Sequence, residues 1–216
     1  MSDDIAPCPL CHHPEDLKRM DGPLDRLYRL CGRCRLISVD PTNFPSREEE
    51  IARYVTHKNG IQYPGYVKFL VRALKPSLPY LSGGASEGLD YGCGPVPTMS
   101  ILAKKNGINC WDYDPIFFPE RPKGPFDIIF ATECIEHFFR PADEFNNLSV
   151  LLKRGGLLTI MTETWTDLDR FATWYYSNDL THVCFYHEDT IRYLADAHGF
   201  TLLESDRRRV FILRKK

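Results

Sequence analysis

Four cysteines stand in two pairs, Cys8-Pro-Leu-Cys11 and Cys31-Gly-Arg-Cys34. A two-residue gap lets both thiolates of a pair face one ion, and a loop or hairpin between the pairs would complete a tetrahedral S4 site for structural Zn2+. Gly32 suits the tight turn inside the second pair. Large apolar residues nearby are few, chiefly Leu24, Leu27, Tyr28, Leu30, Leu36 and Ile37. So short a segment cannot bury enough surface alone, and a metal would supply much of its folding free energy. His12 and His13 adjoin Cys11, but four thiolates already fill the site, so both are expected at the surface. A redox dithiol or disulfides are the alternatives. Docking nucleic acid, contacting a partner and bracing the next domain all stay open as roles for the module.

A second group lies in LDYGCGPVPT. A strand ends at Asp90-Tyr91, Gly92 and Gly94 let the backbone turn tightly against a ligand, and a helix follows. Asp114 ends the next strand about twenty residues on, where a carboxylate can take both ribose hydroxyls. A nicotinamide-binding loop wants a third glycine at the helix, and here that place holds Pro95-Val96-Pro97. Asp90 instead suits a positively charged methionine moiety, which favours S-adenosyl-L-methionine over a dinucleotide.

The third group is Glu133, Glu136 and His137, spaced as ExxEH after an apolar run, with His182 further along in THVCFYH. A turn of helix there would put the three on one face through the i, i+3 and i+4 relation. Three roles remain open: ligands of a divalent cation such as Mg2+ or Mn2+, acid–base or substrate contact by His137 or His182, and plain structure.

The elements that must position these residues are legible in outline. Ser46 is a good N-cap, with Glu48, Glu49 and Glu50 in the first turn of a helix, and Pro64-Gly65 open a second whose apolar face includes Tyr66, Phe69, Leu70 and Leu74. Pro76 to Glu87 reads as a linker. Strands follow at 89–91, 108–113, 126–132, 157–162, 200–204 and 210–214, and helices at 98–106, 141–153, 167–177 and 188–198. The alternation predicts an α/β fold with a mostly parallel sheet and an antiparallel edge. Residues 1–42 form the zinc ribbon, 43–80 a helical lid or linker, and 81–216 the Rossmann-like domain.

The glycine loop, Asp114, the run FDIIFATECIEHF and the turn LLKRGGLLTIMT together resemble successive motifs of class I S-adenosylmethionine-dependent methyltransferases, over about residues 88–216. With the cysteine module in front, the chain is similar to small bacterial methyltransferases bearing an N-terminal zinc ribbon. Sugar C-methyltransferases share the general layout. The resemblance implies that Asp90, Gly92 and Gly94 hold the methionine end of the donor and Asp114 the ribose, with Thr132 and Glu133 bordering the methyl group. It also implies that Trp174, Tyr175 and His182 contact the acceptor. Tyr54, His57 and Tyr66, placed in the helices before that domain, are candidates for a lid over the donor. An ExxEH-and-histidine pattern similar to this one binds a divalent metal in small-RNA 2′-O-methyltransferases and quinone-biosynthesis O-methyltransferases. Two departures matter. Val96 replaces a loop glycine that many relatives carry. Eleven residues between Asp114 and Phe126 are also too few for the usual helix and third strand, leaving Pro115, Ile116 or Phe117 to flank the adenine.

Composition bounds the rest. At 43% hydrophobic and 26% charged, 216 residues make one globular domain with a small module, and a net charge of −2 gives no overall footprint for nucleic acid. The acidic opening MSDDIAPCPL lacks an apolar leader and no run is long enough to span a bilayer, so a cytoplasmic protein with reduced thiols is expected. A small-molecule acceptor leads. RNA is the alternative, because a ribbon can dock it and the C-terminal strand is basic. A non-catalytic donor-binding scaffold is a third possibility.

Overall fold

In the computed structural model, which describes residues 6–14, 16–81 and 86–216, the two cysteine pairs are joined by an antiparallel hairpin of β1 (Leu17–Asp21) and β2 (Leu27–Cys31). β3 (Ile37–Val39) follows and pairs with β2. Ser46 then starts α1 (Arg47–Tyr54) through a full capping box with Glu49. α2 (Pro64–Ser77) buries Leu70, Ala73 and Leu74. Part of the expected linker is therefore helix: Pro76 and Ser77 finish α2, where the Ser77 hydroxyl meets the Ala73 carbonyl at 2.8 Å and Thr159 at 2.7 Å. Residues 82–85 of that linker lie outside the described residues.

The main sheet is built from β4 (Ser86–Tyr91), α3 (Met99–Lys104), β5 (Ile108–Tyr113), β6 (Phe126–Thr132), α4 (Pro141–Leu151) and β7 (Leu152–Met161). After these come β8 (Cys184–Phe185), α5 (Glu188–Ala197), β9 (Phe200–Ser205) and β10 (Val210–Lys215). Six strands run in the order β5-β4-β6-β7-β10-β9. The first four are parallel, and β10 pairs antiparallel with both β7 and β9. This is the Rossmann-like sheet with its antiparallel edge. Between β5 and β6 the chain makes only an isolated bridge, Asp114 to Phe118, so the sheet ends at β5 on that side. Leu70, Leu74 and Met99 pack on one face of the sheet, and Phe145, Leu148, Ile191 and Leu194 on the other.

Two expected helices differ. The helix from Pro141 stops at Leu151, because Leu152 enters the sheet opposite Phe126. Asp167 to Ser177 is not one helix but contains short 3-10 turns, Phe171–Thr173 and Tyr175–Asn178. The Ser177 hydroxyl competes for the backbone there, donating to the carbonyls of Phe171 and Trp174.

The N-terminal module is not a bead on a string. Its sheet, β1-β2-β3-β8, takes its last strand from residues 184–185, far along the chain. Cys8, Leu10, Cys31, Cys34 and Leu36 share one core with Leu89, Ile129 and Leu158 of the main sheet.

Candidate active site

Ligands in open α/β sheets sit beyond the carboxyl ends of the parallel strands. There the structure opens a cavity of 760 Å3. At the end of β4, Gly92 (φ 76°) and Gly94 (φ 66°) take the left-handed conformation that glycine adopts without strain. A Cβ on Gly92 would meet Cys134 Sγ at 2.6 Å, whereas the same position on Gly94 is open. Gly92 and Cys93 donate their N–H groups to the Tyr113 carbonyl, binding the loop to β5.

Asp114 organises this end of the cavity. Its Oδ2 accepts from Gly94 N at 3.1 Å and its Oδ1 from Ile116 N and Phe117 N at 2.8 and 3.0 Å. One carboxylate thereby fixes two loops, and it still faces the cavity beside Pro115 and Ile116. Asp90 is placed differently. It is 3% exposed, absent from the cavity wall, and accepts the Ser100 N–H. Burial, reinforced by Asp112, pushes its pKa well above the usual carboxylate range. It therefore anchors the first turn of α3.

Thr132 and Glu133, at the end of β6, line the same cavity. Glu133 has φ 48°, a left-handed conformation costly for a residue with a Cβ, and donates its N–H to the Met161 carbonyl at 2.7 Å. Its carboxylate pairs with Arg209 at 2.9 Å. The same guanidinium contacts Glu163 and the Tyr175 hydroxyl and lies 5.3 Å from the centre of the Phe69 ring. Burial, then the Glu136 charge, raise the Glu133 pKa to about 8, against the pull of Arg209.

ExxEH is folded as a single 3-10 turn, Ile135–His137, so its three members do not share a helix face. Glu133 turns to Arg209, while Glu136, His137 and His182 converge, with one ligand atom of each lying within 4.8 Å of the others. Glu136 is fully buried: Oε1 accepts from the Tyr176 hydroxyl at 2.5 Å, and Oε2 has no hydrogen-bond partner. His137 Nδ1 meets the Thr181 carbonyl at 2.9 Å and His182 Nδ1 the Tyr176 carbonyl at 2.7 Å. Because only a protonated ring nitrogen can donate to a carbonyl, each Nδ1 carries a hydrogen, which in the neutral ring leaves the lone pair on Nε2. Burial and the adjacent His137 push the His182 pKa down to about 3.

Tyr54, His57, Tyr66 and Phe69, from α1, α2 and their connection, line the cavity on the lid side. Trp174 and Tyr175, expected beside the acceptor, are not in its wall. Trp174 packs against Phe171, Tyr176 and Phe185, and Tyr175 is 65% exposed with its hydroxyl on Glu163. Of that trio His182 alone reaches the cavity.

The segment carrying His182 is tied down by Asp179. Its Oδ1 accepts from Thr181 N and Oγ, and its Oδ2 pairs with Arg53 of α1 at 2.6 Å. Burial alone would raise the Asp179 pKa, but Arg53, His182 and the Thr181 bonds hold it far below the usual carboxylate range. A carboxyl depressed in the folded state stabilises above its unfolded pKa, and that stabilisation fades as pH falls towards the folded value. Asp179→Asn is therefore expected to cost about 2 kcal/mol at pH 7. The gap from wild type should narrow below the ordinary aspartate pKa of 3.8. Denaturant titrations across pH check this, and a gap that persists undiminished in acid removes the ion pair as its cause.

The four module cysteines also converge. Cys8 Sγ lies 3.6 Å from Cys34 Sγ and Cys11 Sγ 3.5 Å from Cys31 Sγ, with all four inside 4.8 Å. Tetrahedral Zn–S bonds of about 2.3 Å require S···S separations of about 3.8 Å, so the set fits zinc.

Glu163 was not singled out from sequence. Glu50, which lines the cavity and accepts from the Tyr54 hydroxyl at 3.1 Å, was read only as a first-turn helix residue, and Arg209 only as part of the basic C-terminal strand. The one sequence signal that Arg209 is held inside is the apolar run directly after it.

A family model described as a methyltransferase domain matches residues 62–205. Curated proteins yield no match. Among solved structures the chain is similar to an S-adenosylmethionine-dependent methyltransferase from Archaeoglobus fulgidus, at 18% identity and a TM-score of 0.50, covering 68% of this chain and 93% of that one. It is also similar to the Burkholderia thailandensis 1,6-didemethyltoxoflavin-N1-methyltransferase, solved with 1,6-didemethyltoxoflavin and S-adenosylhomocysteine bound. That match has 15% identity and a TM-score of 0.47, covering 92% of this chain and 99% of that one. At these identities the likeness is one of fold.

Proposed function

We propose, for a chain that belongs to the methyltransferase-domain family and is a class I S-adenosylmethionine-dependent methyltransferase, that its acceptor is a small molecule bound against His137 and His182. The observation that carries this is the single cavity running from Gly92, Gly94 and Asp114 to those two imidazoles under Tyr54 and Tyr66. At 760 Å3 it falls in the range that encloses small organic ligands. An RNA acceptor rested on the ribbon and on the basic C-terminal strand, and much of that strand's charge is engaged internally. Arg209 is held by Glu133 and Glu163, Arg214 donates to the Tyr80 carbonyl, and Lys215 to those of Ser149 and Leu152.

Gly94, Asp114, Pro115 and Thr132 would hold the donor, with Asp114 on the ribose and Glu133 bordering the reactive end. Methyl transfer from a sulfonium needs proximity and in-line alignment above all, plus removal of the acceptor's proton where it has one. Tyr54, Tyr66 and Phe69 exclude water from the contact zone, and the lone pairs on His137 and His182 face the acceptor side. The unpartnered Glu136 Oε2 with two carbonyl-anchored imidazoles also fits a divalent cation, and this nitrogen-rich set suits Mn2+ better than Mg2+. When bound, such an ion would orient an acceptor oxygen and lower its pKa. Cys8, Cys11, Cys31 and Cys34 would hold Zn2+ structurally.

Release of S-adenosylhomocysteine, assayed with small oxygen, nitrogen and carbon nucleophiles and with tRNA in parallel, tests the acceptor class. Turnover is expected with small molecules, and turnover with RNA alone would sink the proposal. Activity should fall on chelation that leaves the cysteine site loaded and return with Mn2+. Full activity after such chelation removes the cation.

A further inference from the structure

Arg26 sits where β2 begins, in the cysteine-bracketed hairpin, yet its side chain is turned inward and the residue is 4% exposed. A buried guanidinium needs an acceptor for each of its five N–H groups. Here four of the five acceptors lie on one foreign segment. Nη1 donates to the carbonyls of Leu180 at 2.8 Å and His182 at 3.1 Å, and Nη2 to those of Ser177 at 3.2 Å and Asp179 at 3.3 Å. Nε donates to the Tyr28 hydroxyl at 3.1 Å, which passes a hydrogen bond to the Pro23 carbonyl. Five donors meet five acceptors.

The clamped stretch belongs to the histidine wall. It includes His182, and the Thr181 carbonyl between two clamped carbonyls receives His137 Nδ1. The Tyr176 carbonyl, one residue before the first clamped carbonyl, receives His182 Nδ1. Immediately afterwards Val183 N donates to the Glu136 carbonyl and Val39 N to the Val183 carbonyl, and β8 joins β3. The stretch has no strand or α-helix of its own between the 3-10 turn and β8. Beyond its own Asp179–Thr181 turn, it is gripped by Arg26 from the hairpin and by Arg53 of α1 through the Asp179 side chain.

We propose that Arg26 is a positioning residue, through which the cysteine module fixes the Ser177–His182 segment and holds His137 and His182 in the Nδ1–H form with Nε2 free towards the acceptor. The module thereby acts as a brace for the acceptor side of the site. The functional meaning rests on the assignment of that wall to the acceptor, but the clamp itself can be read without one. Lysine cannot substitute, because a single ammonium cannot reproduce a planar fork spanning four carbonyls.

The test uses full-length, zinc-loaded protein labelled with 15N at histidine, and compares wild type with Arg26→Lys and Arg26→Gln. Ring 15N–1H correlation spectra report the tautomers, and calorimetry with S-adenosylhomocysteine reports the donor end. Wild type should show His137 and His182 as Nδ1–H tautomers. Both variants should lose those signatures and show mixed tautomers, while S-adenosylhomocysteine affinity is unchanged because Gly94 and Asp114 lie outside the clamped segment. If Arg26→Gln fails to fold, Arg26→Lys decides. Folded variants that keep both Nδ1–H signals overturn the proposal, and so does loss of donor binding in step with the histidine signals, which would mark a general structural role. Tautomers that depend on Arg26 in a wild type that binds no S-adenosylhomocysteine would support the clamp and sink the methyltransferase site instead.

Discussion

Cys8→Ser is expected to strip one equivalent of zinc from the chain and to lower the melting temperature by about 10 °C or more. Zinc bound by four thiolates contributes on the order of 10 kcal/mol of apparent folding free energy to a small module. In a domain of this size each kcal/mol moves the midpoint by about 2–4 °C, so losing even a third of that is visible. The effect should not stop at the hairpin. Cys8, Leu10 and Leu36 are buried in the same core as Leu89 and Leu158, and β3 carries β8 as its neighbour. Metal analysis of the purified wild type together with thermal melts of both proteins decides the matter. A wild type without zinc, or a variant melting with it, would refute the structural metal.

The same coupling bears on what the sequence could reveal. β6 is found at 126–132 because a buried strand in a parallel sheet is a bounded apolar run, and β5 at 108–113 because it follows the Gly107 helix stop. The missing third strand was legible as simple arithmetic between Asp114 and Phe126. The cysteine spacing likewise announced its own geometry. What periodicity does not report is where an irregular segment sends its carbonyls. Nothing local in residues 177–182 says that Arg26, some 150 residues earlier, satisfies four of them.

Charged residues were misleading for a related reason. Arg209 read only as part of a basic C-terminal strand, yet it is 9% exposed and bridges Glu133 and Glu163. Asp90 was expected at the methionine end of the donor; it is buried, lies outside the cavity wall and accepts the Ser100 N–H. ExxEH pointed to the right neighbourhood through the wrong geometry. A helix would have grouped Glu133 with Glu136 and His137, with His182 completing the cluster, whereas the 3-10 turn leaves Glu133 out and keeps the other three together. Residue types chose the chemistry, and tertiary pairing chose the members.

Asp114→Ala is the second variant with a large expected effect, this time on donor affinity. The side chain is 7% exposed and holds three backbone N–H groups, those of Gly94, Ile116 and Phe117. Removing it leaves those donors without their acceptor and loosens both loops of the donor end at once. It also deletes the carboxylate assigned to the ribose hydroxyls. Two charge-assisted hydrogen bonds at about 1.5 kcal/mol or more each amount to about a hundredfold in affinity for S-adenosylhomocysteine. Asp114→Asn keeps the volume and Oδ1, but it turns an amide NH2 towards the Gly94 N–H, where an acceptor is required. It should therefore lose much of the same affinity, which a purely space-filling role would not explain. Asp90→Asn supplies the contrast, because a group outside the cavity wall should cost melting temperature before it costs binding. Calorimetric titration of the three variants separates these outcomes. Near-wild-type affinity in Asp114→Ala would place the donor's ribose elsewhere, and a larger affinity loss in Asp90→Asn than in Asp114→Asn would reverse the roles of the two carboxyls.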